Sequence, residues 1–292
     1  MPFSKLHGLG NTYIYLDLCG PKAPTLDWPE LARRVSDVHF GLGSDGLILI
    51  LPGETADFRM RIFNADGSEA QMCGNGIRCV GKYVYDHGLT QKTQLSIETG
   101  AGIKTLELET AGGRAQRARV DMGPPRFERG ALPMTGDPQE RAVEAPLAVA
   151  GQNYAVTAVS MGNPHIVTFL DGIDTLDLAA LGPQFERHPA FPERTNTEFV
   201  EVHSPTRLKM RVWERGSGET WACGTGACAV AVAAALTGRA ERKVIVQLLG
   251  GPLEIEWAQD ERVYMTGPAV EIARGELDAA WLGELAAPAL EG

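Results

Sequence analysis

Two cysteines in this chain stand in the same setting. Residues 60–76 read MRIFNADGSEAQMCGNG and residues 210–226 read MRVWERGSGETWACGTG, in register at a constant separation of 150 residues. Met60/Met210, Arg61/Arg211, Glu69/Glu219, Cys73/Cys223, Gly74/Gly224 and Gly76/Gly226 are identical between the two stretches. Each cysteine precedes Gly-x-Gly and a following stretch of helical character, which predicts a helix whose first turn carries the thiol. A thiol there feels the positive end of the helix dipole and backbone N–H groups that have no partner inside the helix; both favour thiolate and predict a lowered pKa. The glycine that follows lets a ligand carboxylate approach the backbone N–H closely, so each motif is a candidate reactive thiol beside an anion cradle. Two such thiols on opposite sides of one small molecule suit inversion of a stereocentre. One thiolate removes a Cα proton, the opposite thiol returns one, and N–H donors at the carboxylate stabilise the charge that spreads into it.

The elements that must position these thiols also repeat. Gly10-Asn11-Thr12-Tyr13-Ile14 is echoed by Gly162-Asn163-Pro164-His165-Ile166, 152 residues on. Self-similarity at a near-fixed separation predicts two related domains, here 1–123 and 124–276, with Gly123-Pro124-Pro125 at the boundary. In the first half, period-two patterns predict strands at 12–18, 47–51 and 58–63, and strands joined by Gly-rich turns between Gln94 and Met122. A short helix at 28–38 is N-capped by Asp27, and the Cys73 helix stops near His87-Gly88. In the second half, strands are predicted at 154–160, 165–170, 198–202, 207–213, 243–249, 252–257 and 261–266, with a short helix at 174–181. Thr195-Asn196-Thr197-Glu198 takes the place of the first half's Gly-rich turn, Gly41–Gly46. Residues 126–148 read as a loop-heavy lead-in. The Ala/Val-rich run Ala227–Leu236 reads as a helix buried on all sides. The fold class is α+β, with mostly antiparallel sheets and one buried helix in each half.

The length of 292 residues gives each half enough chain to bury its own core, and 44% hydrophobic with 22% charged residues is an ordinary globular composition. A net charge of −10 opposes nucleic-acid binding and leaves no basic membrane patch. No stretch approaches the length of apolar chain needed to span a bilayer, and no apolar signal core opens the sequence. Five cysteines, an odd number without a secretory address, point to a cytoplasmic setting with free thiols. The spacings from Cys73 to Cys79 and from Cys223 to Cys228 lack the tight knuckle of a zinc site, so no metal is expected. Cys19, Cys79 and Cys228 read as small buried hydrophobes.

At these same residues the sequence resembles the diaminopimelate epimerase family. The matching stretches are KLHGLGNTYIYLD at 5–17, FNADGSEAQMCGNGIRC at 63–79, MGNPHIV at 161–167, RTNTEFV at 194–200, ERGSGETWACGTGA at 214–227 and VYMTGPA at 263–269. The resemblance implies a cofactor-independent isomerase that interconverts LL- and meso-diaminopimelate in lysine and peptidoglycan-precursor biosynthesis. By that likeness Cys73 and Cys223 are the catalytic pair, with Cys223 taking the proton and Cys73 giving one in the LL-to-meso direction. Asn11, Asn64, Asn163, Asn196, Glu214 and Arg215 fall on substrate-contacting positions, and the backbones of Gly74-Asn75 and Gly224-Thr225 on the carboxylate cradles. His165 and Glu214 fall on positions that tune the thiols. It further implies two pseudo-symmetric domains, each a sheet wrapped around a central helix, a tail at about 277–292 returning to the first domain, and a homodimer. One departure is plain: many members carry Gln after the Asp of the first Gly-rich turn, where this chain has Gly46.

Three other readings remain open on the residues alone. A proline or hydroxyproline racemase uses the same two-thiol plan but carries His where this chain has Asn75, and lacks the Glu-Arg-Gly lead into the second motif. A thiol-redox switch would use Cys73 and Cys223 without substrate stereochemistry. A non-catalytic small-molecule binder would tolerate serine at both positions. His165 on its own is an ordinary half-buried strand histidine, and the asparagines are turn formers.

Overall fold

A computed structural model describes residues 1–20, 24 and 26–283 of the chain. Contacts divide it into two compact units, Met1–Val120 together with the chain from Pro268 onward, and Asp121–Gly267.

The first unit is one run of neighbouring strands. Val270–Glu276 pairs with Pro2–Gly8, which pairs with Asn11–Asp17, both antiparallel. Asn11–Asp17 then runs parallel to Gly46–Pro52, and Gly46–Pro52 antiparallel to Phe58–Asn64. Phe58–Asn64 is parallel to Gln94–Thr99, and Gly102–Ala111 and Arg114–Gly123 complete the run antiparallel.

The second unit repeats the order and the sense of every pairing. Ala145–Val149, Gln152–Ser160 and Pro164–Phe169 are antiparallel neighbours. Pro164–Phe169 is parallel to Asn196–Ser204, which is antiparallel to Arg207–Glu214. Arg207–Glu214 is parallel to Lys243–Leu248, and Gly251–Trp257 and Val263–Pro268 follow antiparallel. The two runs differ in the source of the first strand. In the second unit it precedes its neighbour in sequence; in the first it returns from the far end of the chain.

Each run encloses a helix. Gly74–Asp86 is buried from Gly74 through Val84, and Gly224–Leu236 from Gly224 through Ala234 apart from Thr225. A helix walled in on all sides cannot be amphipathic. The second meets this with small side chains, Ala-Cys-Ala-Val-Ala-Val-Ala-Ala-Ala, which let the surrounding strands approach closely. The first instead buries two cations and satisfies them. Arg78, 0% exposed, donates to the carbonyls of Gly74 at 3.0 Å and Pro268 at 3.2 Å and to Asn75 Oδ1 at 2.9 Å. Lys82 donates to Asp86 at 2.8 Å and to the Ala115 carbonyl at 2.6 Å.

Outer helices cover the sheets. Trp28–Ser36 is N-capped by Asp27, which accepts from Glu30 N, and seats Leu31, Ala32 and Val35 on Ile14, Leu16, Leu47, Leu49 and Phe63. In the second unit the helix expected at 174–181 is a short 3-10 turn at Ile173–Thr175 and a separate helix Leu178–Glu186, capped by Asp177. It packs so closely on the sheet that a Cβ on Gly182 would lie 2.2 Å from the Trp213 ring.

Two expectations need amending. Pro2–Gly8 and Val270–Glu276 are strands that the sequence patterns do not mark, and the chain rejoins the first unit at Pro268 rather than near 277. The 126–148 segment contains a 3-10 turn at Arg129–Ala131 and the start of strand Ala145–Val149. The expected returning tail is described only as far as Gly283, and within it Leu277 N–H donates to the Met1 carbonyl at 2.8 Å. Residues 284–292 lie outside the described part.

Candidate active-site residues in the two units

The turn before each cysteine is held by the duplicated Arg and Glu. Arg61 makes a two-point pair with Glu69 at 2.7 and 2.9 Å, and Arg211 the same pair with Glu219 at 2.7 and 3.0 Å. Each glutamate lies in a two-residue strand, Glu69–Ala70 or Gly218–Glu219, that folds back on the strand carrying the arginine. The bridge delivers the chain to the helix start, and there both cysteines occupy the N-cap with extended backbone.

In the first unit, Cys73 Sγ accepts from Gly76 N–H at 3.3 Å, as an N-cap side chain does, and lies 3.4 Å from Asn11 Oδ1. Asn75 Nδ2–H donates to that same Asn11 oxygen at 3.4 Å, while its own Oδ1 is held by Arg78. Asn11 Nδ2–H and Thr12 N–H both donate to Asp45 Oδ2, at 2.8 and 2.7 Å. Asn64 sits opposite Gly46, and its side chain donates to Ser68 Oγ at 3.0 Å. Asn11, Cys73, Gly74 and Asn75 therefore form one hydrogen-bonded group. Asn64 is tied to it through the Asp45 backbone, whose carbonyl accepts from Ala65 N–H at 3.0 Å.

Gly46 explains the departure from the Gln pattern. A Cβ there would lie 2.1 Å from the Phe63 carbonyl oxygen and 2.9 Å from the Tyr13 ring. No side chain fits without moving the backbone.

In the second unit, Cys223 Sγ lies 3.6 Å from Thr225 Oγ1, and Asn163 Nδ2–H donates to the same hydroxyl at 3.3 Å. His165, 0% exposed, bridges Asn163 Oδ1 at 3.0 Å through Nε2 and Glu198 Oε1 at 2.7 Å through Nδ1. Asn196 donates to the Pro164 carbonyl at 2.8 Å and accepts from Arg215 N–H at 2.9 Å. Glu214 accepts from the Thr220 hydroxyl, and the Arg215 guanidinium donates to the Glu193 carbonyl at 3.0 Å. His165 is thus fully buried, not half-buried.

The expectation of lowered thiols is reversed. Burial pushes the Cys73 thiol above its ordinary value, against the pull of the Gly76 and Asn75 backbone, Tyr13 and Arg78. Burial pushes Cys223 well above its ordinary value, and the Glu214 and Glu198 carboxylates push the same way. Removing a thiolate from water costs more here than the helix N-terminus returns. Glu214 is itself raised by burial, opposed by the Thr220 hydroxyl, Cys223 and His165. Cys79 and Cys228 are fully buried in the central helices, whereas Cys19 is only half-buried.

Three residues of these networks are not singled out by the sequence motifs. Asp45 holds Asn11; Glu198 holds His165; and Glu186, 3% exposed, holds the loop of Arg215. Its carboxylate accepts from Gly216 N–H at 3.1 Å and Trp213 Nε1–H at 2.8 Å. A signal for Glu198 does exist: it is an acid directly before Phe199 and Val200, at the position 150 residues after Ile48.

Comparison with known proteins fits this arrangement. The family model for diaminopimelate epimerase matches residues 3–128 and 157–272. A diaminopimelate epimerase of Acetivibrio thermocellus is 55% identical over 280 residues, covering 95% of this chain and 99% of that protein. One from Desulfovibrio desulfuricans is 56% identical over 281 residues, covering 94% and 97%. Among solved structures, a probable proline racemase from Agrobacterium radiobacter with bound carbonate superimposes with a TM-score of 0.69 at 16% identity, covering 95% and 93%; this likeness speaks for the fold alone. With both half-motifs inside the matched segments and identity above one half across nearly its whole length, the chain belongs to the diaminopimelate epimerase family.

Proposed function

We infer that this protein is an isomerase, a diaminopimelate epimerase that interconverts the LL and meso forms of its small-molecule substrate. The observation that carries this reading is the identity of 55–56% with two diaminopimelate epimerases over 94–95% of the chain. The racemase alternative rests on fold, which many activities share; this chain keeps Asn75 and the Glu-Arg-Gly lead on which the epimerase resemblance is founded. The redox-switch alternative is not favoured, since the relatives matched over nearly the whole chain are diaminopimelate epimerases.

The mechanism proposed is proton transfer between two thiols. Cys223 takes the Cα proton in the LL-to-meso direction and Cys73 supplies one to the opposite face. The backbone N–H groups at Gly74-Asn75 and Gly224-Thr225 receive the carboxylate, which takes up charge as the Cα carbanion forms. Asn11, Asn64, Asn163, Asn196, Glu214 and Arg215 are the proposed substrate contacts, and His165 and Glu214 the groups that set the thiol environment. Raised thiols suit this scheme in one respect. The ligand-free site keeps its protons, and the substrate's ammonium group brings the positive charge that favours one thiolate when the complex forms. No cofactor is part of the scheme. A cytoplasmic setting, a place in lysine and peptidoglycan-precursor synthesis and a homodimer belong to the same proposal. No described helix is long and apolar enough to cross a membrane.

The test is direct. Purified protein without added cofactor is expected to equilibrate LL- and meso-diaminopimelate and to leave L-proline unchanged. Racemisation of proline with inert diaminopimelate would overturn the reading.

A further inference from the structure

Gly76 and Gly226 occupy the same place in the two units, and what lies against them differs in kind. A Cβ on Gly76 would sit 2.6 Å from Ile48 Cδ1; a Cβ on Gly226 would sit 2.7 Å from Glu198 Oε1. Ile48 and Glu198 are themselves 150 residues apart. Hydrocarbon therefore fills this position of the frame, and the second unit bears the cost of burying a carboxylate there instead. Glu198 is 0% exposed, and one of its oxygens, Oε2, has no hydrogen-bond partner. A buried acid kept in so unfavourable a place calls for a reason other than packing.

Its contacts supply one. Glu198 Oε1 meets His165 Nδ1 at 2.7 Å, His165 Nε2 meets Asn163 Oδ1 at 3.0 Å, and Asn163 Nδ2–H donates to Thr225 Oγ1 at 3.3 Å, beside Cys223. With one ring nitrogen committed to the carboxylate, the imidazole cannot rotate, and the other nitrogen sets which end of the Asn163 amide faces away from it. The groups around Cys223 come from four elements: Glu198 from Asn196–Ser204, His165 from Pro164–Phe169, Glu214 from Arg207–Glu214 and Thr225 from the helix. In the first unit the matching places are taken by Tyr13 for the histidine and Ile48 for the acid.

We propose that Glu198 is a positioning residue of the second half-site: through His165 it fixes the Asn163 side chain, and it places a buried carboxyl group beside Cys223. The proposal rests on the epimerase reading for its effect on turnover, but its electrostatic part can be read without substrate.

The experiment is Glu198→Gln in the full chain, with thermal melting, turnover of diaminopimelate, and the pH dependence of iodoacetamide alkylation at Cys223 and Cys73 measured separately by peptide mass spectrometry. The glutamine variant is expected to melt as a folded protein and to lose at least about tenfold in kcat with little change in KM, since misplacing a site group by a fraction of an ångström is enough for such a loss. Its Cys223 alkylation curve is expected to move to lower pH while the Cys73 curve stays. Glu198→Asp is expected to recover part of the turnover. Wild-type kcat in Glu198→Gln with an unmoved Cys223 curve would overturn the proposal, as would equal displacement of both thiol curves. Should the glutamine variant fail to fold, the aspartate variant decides: it keeps the carboxylate but withdraws it from His165, so kcat must fall while the Cys223 curve stays near that of the wild type, and an unchanged kcat would overturn the proposal. A wild-type protein inert towards diaminopimelate would defeat the functional reading while leaving the alkylation curves as a valid test of the charge.

Discussion

Strand by strand the two units match, yet the side chains that face the two thiols have little in common. Around Cys73 the partners are amides, a phenol and a buried cation: Asn11, Asn75, Tyr13 and Arg78. Around Cys223 they are a hydroxyl, an imidazole and two carboxylates: Thr225, His165, Glu198 and Glu214. What stayed identical between the halves is the frame, namely the Arg–Glu bridge before each helix and the glycines after each cysteine. Duplication preserved what holds the thiol at the helix start and changed what sets its charge environment. Burial raises both thiols, and only at Cys223 do neighbouring carboxylates push the same way, whereas Arg78 pulls Cys73 back.

This comparison can be broken or sharpened at several points. The largest effect is expected at the pair Gly46 and Asn196, which stand 150 residues apart. Making the halves alike by Gly46→Asn drives a Cβ into the Phe63 carbonyl and is expected to cost about 3 kcal/mol. The reverse, Asn196→Gly, gives up the bonds to Pro164 and Arg215 and is expected to cost about 1–2 kcal/mol. Chemical denaturation of both variants measures the difference, and equal costs would show that the two positions are more alike than their surroundings suggest.

A smaller contrast lies in the duplicated bridges. Arg211 is 13% exposed and also donates to the carbonyls of Ile173 at 2.8 Å and Leu176 at 2.9 Å, whereas Arg61 is 33% exposed. Arg211→Ala is expected to cost about 2–3 kcal/mol by leaving those carbonyls without their donor. Arg61→Ala should cost no more than about 1 kcal/mol, as an exposed pair does. Unfolding midpoints of the two variants decide it.

The smallest effect is an order of titration. Alkylation requires thiolate, so reaction of each cysteine rises as pH climbs through its own raised value. In ligand-free protein Cys73 is expected to react at lower pH than Cys223, and both above the range of a free cysteine. Alkylation of Cys223 first would reverse the assignment of charge environments.

Much of this is legible in the amino-acid sequence alone. The duplicated motif locates both helix starts, because a repeated Cys-Gly-x-Gly leaves little else for the backbone to do. The cap at Asp27 and the stop at Gly88, with its positive φ of 74°, follow from side-chain and backbone chemistry. Pro2–Gly8 and Val270–Glu276 escape such a reading for a physical reason. They pair with each other from opposite ends of the chain, and Val270–Glu276 is largely exposed, so no local alternation marks it. The direction of the thiol shifts is hidden because a helix start is visible in sequence and the depth of burial is not. Glu198, Asp45 and Glu186 act through other side chains, and a motif search weighted towards groups that touch a ligand passes over them.

The central claim is that both cysteines move protons at one carbon, and deuterium measures it most directly. Diaminopimelate incubated in D2O with wild-type protein should acquire deuterium at Cα with inversion. Cys73→Ser and Cys223→Ser should each lose nearly all turnover, about a thousandfold or more, since each removes one of two essential proton-transfer groups. Wild-type exchange and inversion persisting in either serine variant would contradict the account.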